Sequence, residues 1–320
     1  AARDGIHGLS GARSHVIHPQ KLSSLSTEQL NKELAHGGVS LRVPPFVMHI
    51  TSPIPVVAKG LQALYGQHEL VRGPAAFTDF RVSVTSEWRF FKRVCVFAMD
   101  GFQPFTPLAY GEAFAFLEWG MNWCITSHCH SWLTIHSAVL EKNGRAVLLP
   151  APPGSGKSTL CAALMLHGWR LLSDEMALLD PVTGLVTPAP RPVSLKNASI
   201  DVIRQRAGGL NFGPVAHDTL KGSVAHMQVS AESLAKAHVP VLPSWVVFPK
   251  YSKGSPLTVS EHPKSQALVE LASNSFNHHV HGRAGFEALA QLVERCACHD
   301  LAYASLEDAL AWFDALAATP

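Results

Sequence analysis

Between Ala146 and Leu179 the chain alternates in a way that few architectures can accommodate: an apolar run, a glycine-rich loop, an amphipathic segment and a second apolar run. Ala146 to Leu149 predicts a buried strand, Ser158 to His167 a helix and Arg170 to Leu179 a further strand. Upstream, Leu133 to Leu140 predicts a strand that turns back at Asn143-Gly144, a pair suited to a tight hairpin because both residue types tolerate positive φ. Strand, loop, helix and strand in so short a span belong to an α/β core in which helices cover a mixed sheet.

The loop carries the chemistry. Ala151-Pro152-Pro153-Gly154-Ser155-Gly156-Lys157-Ser158 has the spacing of a relaxed Walker A motif, with Ala151 where the first glycine usually stands. Glycines at 154 and 156 let backbone N–H groups turn inward on phosphate, and the helix N-terminus that follows adds partial positive charge. Lys157 reaches phosphate oxygens and the Ser158 hydroxyl can ligate Mg2+. Gly154, Ser155, Gly156, Lys157, Ser158 and Thr159 are therefore the expected contacts to ATP. Sixteen positions beyond Ser158 the run Arg170-Leu171-Leu172-Ser173 delivers Asp174 and Glu175, where a carboxylate partner for the metal or the incoming nucleophile belongs. Alone, an Asp-Glu pair at a strand end is ordinary solvated sequence; the phosphate loop beside it gives it a role. Ser158, Asp174 and Glu175 form the expected metal set.

Elsewhere the sequence predicts a short helix from a Ser26-Thr27-Glu28-Gln29 capping box through Ala35. Strands are expected at Val39 to Ile50, Phe77 to Thr85, Phe90 to Met99, Trp245 to Phe248 and Leu301 to Ala304. Helices are expected at Val56 to Tyr65, Tyr110 to Ile125 and Gly285 to Cys296, with a last one capped at Ser305. Phe114, Leu117, Met121 and Cys124 fall at helical spacing and read as a core face. The organisation expected is a loose segment over 1–24, an α+β portion over 25–130 packed on the core, and the phosphate-loop core over 131–320.

Charge and cysteine content exclude several classes. Lys and Arg number 26 against 24 Asp and Glu, so the net charge supplies no basic field of the kind nucleic-acid binders need, and no nucleic-acid partner is expected. No apolar run approaches the length that spans a bilayer, and the first residues hold no apolar targeting core, so neither a membrane partner nor export is expected. The six cysteines have no disulfide-scaffold spacing and read as reduced thiols of a cytoplasmic protein. His128-Cys129-His130 and Cys296-Ala297-Cys298-His299 contain zinc-ligand types without the two-residue spacer of zinc knuckles, and core cysteines are the plainer reading. No nucleophile elbow, His-Glu-x-x-His helix or dinucleotide fingerprint is present.

From His136 to Asp174 the chain resembles the HPr kinase/phosphorylase group, P-loop proteins related in architecture to phosphoenolpyruvate carboxykinases. His136, Gly144, Gly154-Ser155-Gly156-Lys157-Ser158, Gly168, Arg170 and Asp174-Glu175 stand in that group's register without a gap. Arg191 to Asn197, Val246 to Tyr251, Asn277 and the Leu301 to Leu310 segment are similar to the branch called the HPr-kinase-related kinase A family. The resemblance implies a P-loop kinase core, ATP and Mg2+ as cofactors, and transfer of the γ-phosphoryl group to a serine hydroxyl. Asp174 would be the general base, Lys157 a phosphate contact and His136 the residue that orients the base or steadies phosphate charge. The alternative for His136 is a strand-end histidine satisfied by backbone. Arg191 and Lys196 are further candidates for phosphate or substrate contacts, and Arg283 for stabilising transition-state charge from a mobile loop.

The chain departs from the group where Glu175 replaces an aspartate and where the metal-binding Glu-Ile-Arg-Gly signature is not found. HPr is thereby disfavoured as acceptor. The expected partner is a protein or peptide bearing an acceptor serine, with a PqqD-like peptide chaperone implied by the kinase A resemblance; a homo-oligomer stays open. Two alternatives remain at this level: a kinase of free serine or a similar small alcohol, and a regulatory module that binds ATP without transferring phosphate.

Overall fold

The computed structural model describes residues 20–73, 77–152 and 154–319. Most of the expected loose segment 1–24 lies outside the described residues. Its described end is not loose: Leu22 is fully buried, and its N–H donates to the His68 carbonyl at 2.9 Å.

The N-terminal part runs α1 (Thr27–His36), β1 (Val39–Val43), β2 (Phe46–Thr51), α2 (Pro55–Tyr65), β3 (Phe80–Arg89), β4 (Lys92–Met99), β5 (Leu108–Ala109) and α3 (Ala113–His128). Ser26 caps α1 as the sequence predicts, its hydroxyl accepting the Gln29 N–H while the Gln29 side chain accepts the Ser26 N–H. The five strands form one sheet in chain order. The single strand expected over Val39 to Ile50 is instead a hairpin, because Pro44 and Pro45 have no N–H to give a ladder. α3 is apolar on nearly all sides, packing on β3 and β4 and touching the following part of the chain.

The remainder runs β6 (Leu133–Ile135), β7 (Ser137–Lys142), β8 (Arg145–Pro150), α4 (Lys157–Leu166), β9 (Arg170–Ser173), β10 (Ala177–Leu179), β11 (Val186–Thr187), β12 (Val193–Lys196) and α5 (Ala198–Arg204). It continues through β13 (Ala216–Thr219), β14 (Gly222–Met227), α6 (Ala231–Ala235), β15 (Pro243–Tyr251), β16 (Thr258–Glu261), α7 (Lys264–Ser273), α8 (His278–Arg295), β17 (Ala297–Tyr303) and α9 (Leu306–Ala318). The molecule is thus α/β, with several sheets. The largest has six strands in the order β16-β17-β15-β8-β7-β9, with β8, β15 and β17 parallel at its centre. Alternation along β8 sorts the core: Val147 and Leu149 join the layer built with α4 and α9, Ala146 and Leu148 the layer built with α7 and α8.

The sequence predicts Leu133 to Leu140 and Arg170 to Leu179 as continuous strands, and both are broken. β7 and β9 pair antiparallel inside the six-stranded sheet, whereas β6 and β10 pair antiparallel inside a separate sheet with β11. One pair of strands therefore changes sheet together. The ladder opens between the Ile135–Ala177 pair and the Val139–Ser173 pair, and His136 and Asp174 to Met176 occupy the opening. Apolar content could not reveal the break, since the strand residues flanking it on both sides, Ile135, Ser137, Ser173 and Ala177, are all buried. Among the described residues no helix is long and apolar enough to cross a membrane.

Candidate functional site at the split in the sheet

β8 runs into the glycine-rich loop, and α4 begins at Lys157. Gly154 and Gly156 both have φ of +88°, left-handed backbone that an L side chain adopts only under strain. Gly156 is also closely approached: a Cβ there would lie 2.8 Å from the Tyr251 Cβ and 2.9 Å from the Tyr303 hydroxyl. The ends of β15 and β17 clasp the loop. The Tyr251 N–H donates to the Ser155 carbonyl at 2.8 Å, and the Tyr303 hydroxyl donates to the Gly156 carbonyl at 3.3 Å. These bonds hold two of the loop's carbonyls; of its N–H groups, that of Ser155 donates to the Pro152 carbonyl at 3.3 Å and that of Lys157 to the Ser155 hydroxyl at 3.4 Å, and the first turn of α4 follows directly. Ser158 and Thr159 lie in that first turn, half-buried.

Lys157 is buried, and its Nζ lies 2.8 Å from His136 Nε2. An ammonium only donates, so Nε2 accepts and the imidazole carries its proton on Nδ1. Burial, the Lys157 charge, and more distantly Lys196 and Lys221 push the His136 pKa down, while the Glu175 carboxylate opposes them. The His136 N–H donates to the Asn274 carbonyl at 2.8 Å, and its ring meets the Phe276 ring edge-on. The backbone thus satisfies the main chain of His136 and leaves its side chain to the lysine.

Asp174 is almost fully buried. Its Oδ2 accepts the Ser194 N–H at 3.1 Å, and its Oδ1 is buried with no hydrogen-bond partner among the described residues. Burial first, and the adjacent Glu175 carboxylate second, raise its pKa to about 6, against the pull of Lys157, the Ser194 N–H and the Ser158 hydroxyl. Ser158 and the buried Cys161 thiol bear on the carboxyl without supplying Oδ1 a partner. A carboxylate poised near neutral pH, with a free oxygen, can take a proton or a cation. The donors around it suit Mg2+: a hydroxyl at Ser158, the orphaned Oδ1 of Asp174 and the half-exposed Glu175, all hard oxygens. Among the described residues no group of three or more His, Cys, Asp or Glu gathers to hold a metal ion. His128 packs its ring against Trp123 and Phe80, and Cys296 and Cys298 are buried beneath α7 and α8.

Other residues singled out in the sequence divide. Lys196 acts on His136 through its charge. Arg191 does not face the loop: its guanidinium donates to the Glu118 carboxylate at 2.7 Å, the Glu118 carbonyl at 3.0 Å and the Asn122 side chain at 2.5 Å, all on α3. Tyr65 donates to the same carboxylate at 2.8 Å. A buried carboxylate attracts the nearest guanidinium more strongly than a distant ligand can, so Arg191 is a structural tie between α3 and the approach to β12. Arg283 directly follows a break in α8 at Gly282, where φ is 55° and ψ −128°, and is exposed and paired with Glu287 one turn on. Asn277 is buried as a brace, its Oδ1 accepting the Thr134 N–H and its Nδ2 donating to the Trp132 carbonyl. The sequence gives no sign of the roles of Tyr303 at the loop, Ser194 at Asp174 or Phe276 at His136, because only the tertiary fold brings these distant residues together.

Compared with known proteins, the chain matches no protein-family model and no curated protein.

Proposed function

We propose that this protein is an ATP-dependent kinase, with a P-loop core of the HPr kinase type, that transfers the γ-phosphoryl group of ATP to a serine hydroxyl. The observation that carries the reading is the juxtaposition of a buried lysine opening the helix after a glycine-rich loop with a buried carboxylate raised to about 6. Loop N–H groups and Lys157 hold the phosphates, and the contact from His136 fixes the lysine's side chain. Asp174 takes the proton of the acceptor hydroxyl as the serine oxygen bonds to the γ-phosphorus and the bond from that phosphorus to the bridging oxygen breaks, leaving ADP. Ser158, Asp174 and Glu175 would hold Mg2+, which supplies charge neutralisation to the phosphates when bound. The Ser194 N–H positions the base by holding Oδ2.

The acceptor is a serine of a protein or peptide other than HPr, presented with a PqqD-like chaperone; this extension rests on the sequence resemblance alone. The test is Mg2+-dependent transfer of labelled γ-phosphate from ATP into a peptide library and into free serine, run beside Lys157→Ala and Asp174→Asn. Transfer to peptide that is lost in both variants, with ATP binding retained in Asp174→Asn, is the expected result. Transfer to free serine alone makes it a small-molecule kinase, and tight ATP binding by the parent protein without transfer to any acceptor makes it a regulatory nucleotide-binding module.

A further inference from the structure

The β3–β4 hairpin ends in a feature that no phosphoryl-transfer chemistry needs. Its last pair is Arg89 with Lys92, so the turn consists of Phe90 and Phe91 alone. Their φ values are 46° and 64°, both left-handed, as a two-residue hairpin turn of type I′ requires. Asn and Gly are the residues that fill this turn without strain, and a bulky aromatic there is an outlier. Neither phenylalanine is repaid by burial: they are 95% and 100% exposed, and Trp88 beside them is 73% exposed. Folding therefore gains nothing from these three rings while accepting an unfavourable backbone at two of them. Strain kept at an exposed tip points to a role outside the fold.

The flanking charges indicate the occupant. Residues 87–93 read Glu-Trp-Arg-Phe-Phe-Lys-Arg, three cations against one acid, and the acid is already paired with Arg89. Lys92 is exposed, and Arg93 is held at the base of the tip over the Tyr110 ring, with a bond to the Ser86 hydroxyl. We propose that this hairpin tip docks on an anionic lipid bilayer, with Phe90 and Phe91 entering the acyl boundary, Trp88 at headgroup level, and Lys92 and Arg93, the two cations not paired with Glu87, against acidic headgroups. Apolar rings capped by a basic collar match an interface that is apolar below and negative above. Such a contact lies on the membrane and needs no spanning helix. It is also independent of the reaction proposed for the loop.

The experiment uses the whole chain and sedimentation with vesicles, either phosphatidylcholine alone or an equal mixture of phosphatidylcholine and phosphatidylglycerol. Binding to the mixture that weakens with salt, with little binding to phosphatidylcholine, is expected. Phe90→Asn with Phe91→Gly should lower that binding by about a hundredfold, since two aromatic side chains no longer leave water. The same double variant should melt no lower than the parent, because Asn-Gly suits the turn, so a loss of binding is not a loss of fold. Lys92→Glu, which leaves the turn untouched, should weaken binding to the anionic mixture by several-fold. Equal binding by parent and double variant, or no binding to either vesicle, overturns the proposal. So does light scattering that shows a parent dimer made monomeric by the double variant without lipid, which would give the tip to a second copy of this chain.

Discussion

Asp174 is the residue at which stability and the proposed activity pull in opposite directions, and Asp174→Asn measures how strongly. In the folded chain its pKa is raised to about 6, chiefly by burial and then by Glu175. The native state therefore holds this proton to higher pH than the unfolded chain does, and stability falls as pH rises from the unfolded pKa through the folded one. With an ordinary aspartate pKa of about 3.9, the difference of roughly two units corresponds to a cost of about 3 kcal/mol once pH exceeds about 7, and about half of that near pH 5. Asparagine is neutral and keeps an oxygen for the Ser194 N–H, so the variant escapes the cost. For a chain of this length an unfolding entropy of about 0.7 kcal/mol/K converts 3 kcal/mol to a Tm about 4 °C higher. The assay is calorimetry of parent and variant at about pH 5 and about pH 8, without and with Mg2+. The gain should be larger at the higher pH and should shrink when Mg2+ stabilises the parent alone, and the variant should transfer no phosphate. A variant that is less stable than the parent at the higher pH, or a gain that does not change with pH, refutes the reasoning that Asp174 is a buried carboxylate lacking a partner for Oδ1.

Two further substitutions test the scaffold. Glu118→Gln leaves the Arg191 guanidinium buried without its counter-charge and should cost about 3–5 kcal/mol in urea unfolding, much of it recovered by the paired change Glu118→Leu with Arg191→Met; a single-variant cost below about 1 kcal/mol would show the tie to be unimportant. Gly156→Ala should lower the urea midpoint by at least the roughly 1–2 kcal/mol of a left-handed alanine and weaken ATP binding together, because the added Cβ must displace Tyr251 from the loop; unchanged affinity by equilibrium dialysis would remove the loop from the nucleotide site.

How far the sequence reveals this molecule depends on the range over which each feature is decided. The Ser26 and Ser305 caps, the α4 segment and the glycine loop are set by neighbours within four residues, and all are readable from the chain alone. The Asp174–Glu175 position is also local, since a strand must end somewhere near it. What could not be read is that two strands end there together. The turn at Asp174 to Met176, closed by the Met176 N–H on the Ser173 hydroxyl, is matched by a break at His136 because β6 must follow β10 out of the large sheet. Apolar patterning is identical on both sides of each break, so it reports burial and not which sheet does the burying. Arg191 illustrates the same limit from the other direction. The family resemblance makes it a candidate for a phosphate or substrate contact, but its charge is met by Glu118, 73 positions away. That tie still bears on the site: three residues beyond Arg191 the Ser194 N–H holds Oδ2 of Asp174. Through Glu118 and Arg191 the N-terminal part thereby anchors the strand that positions the base.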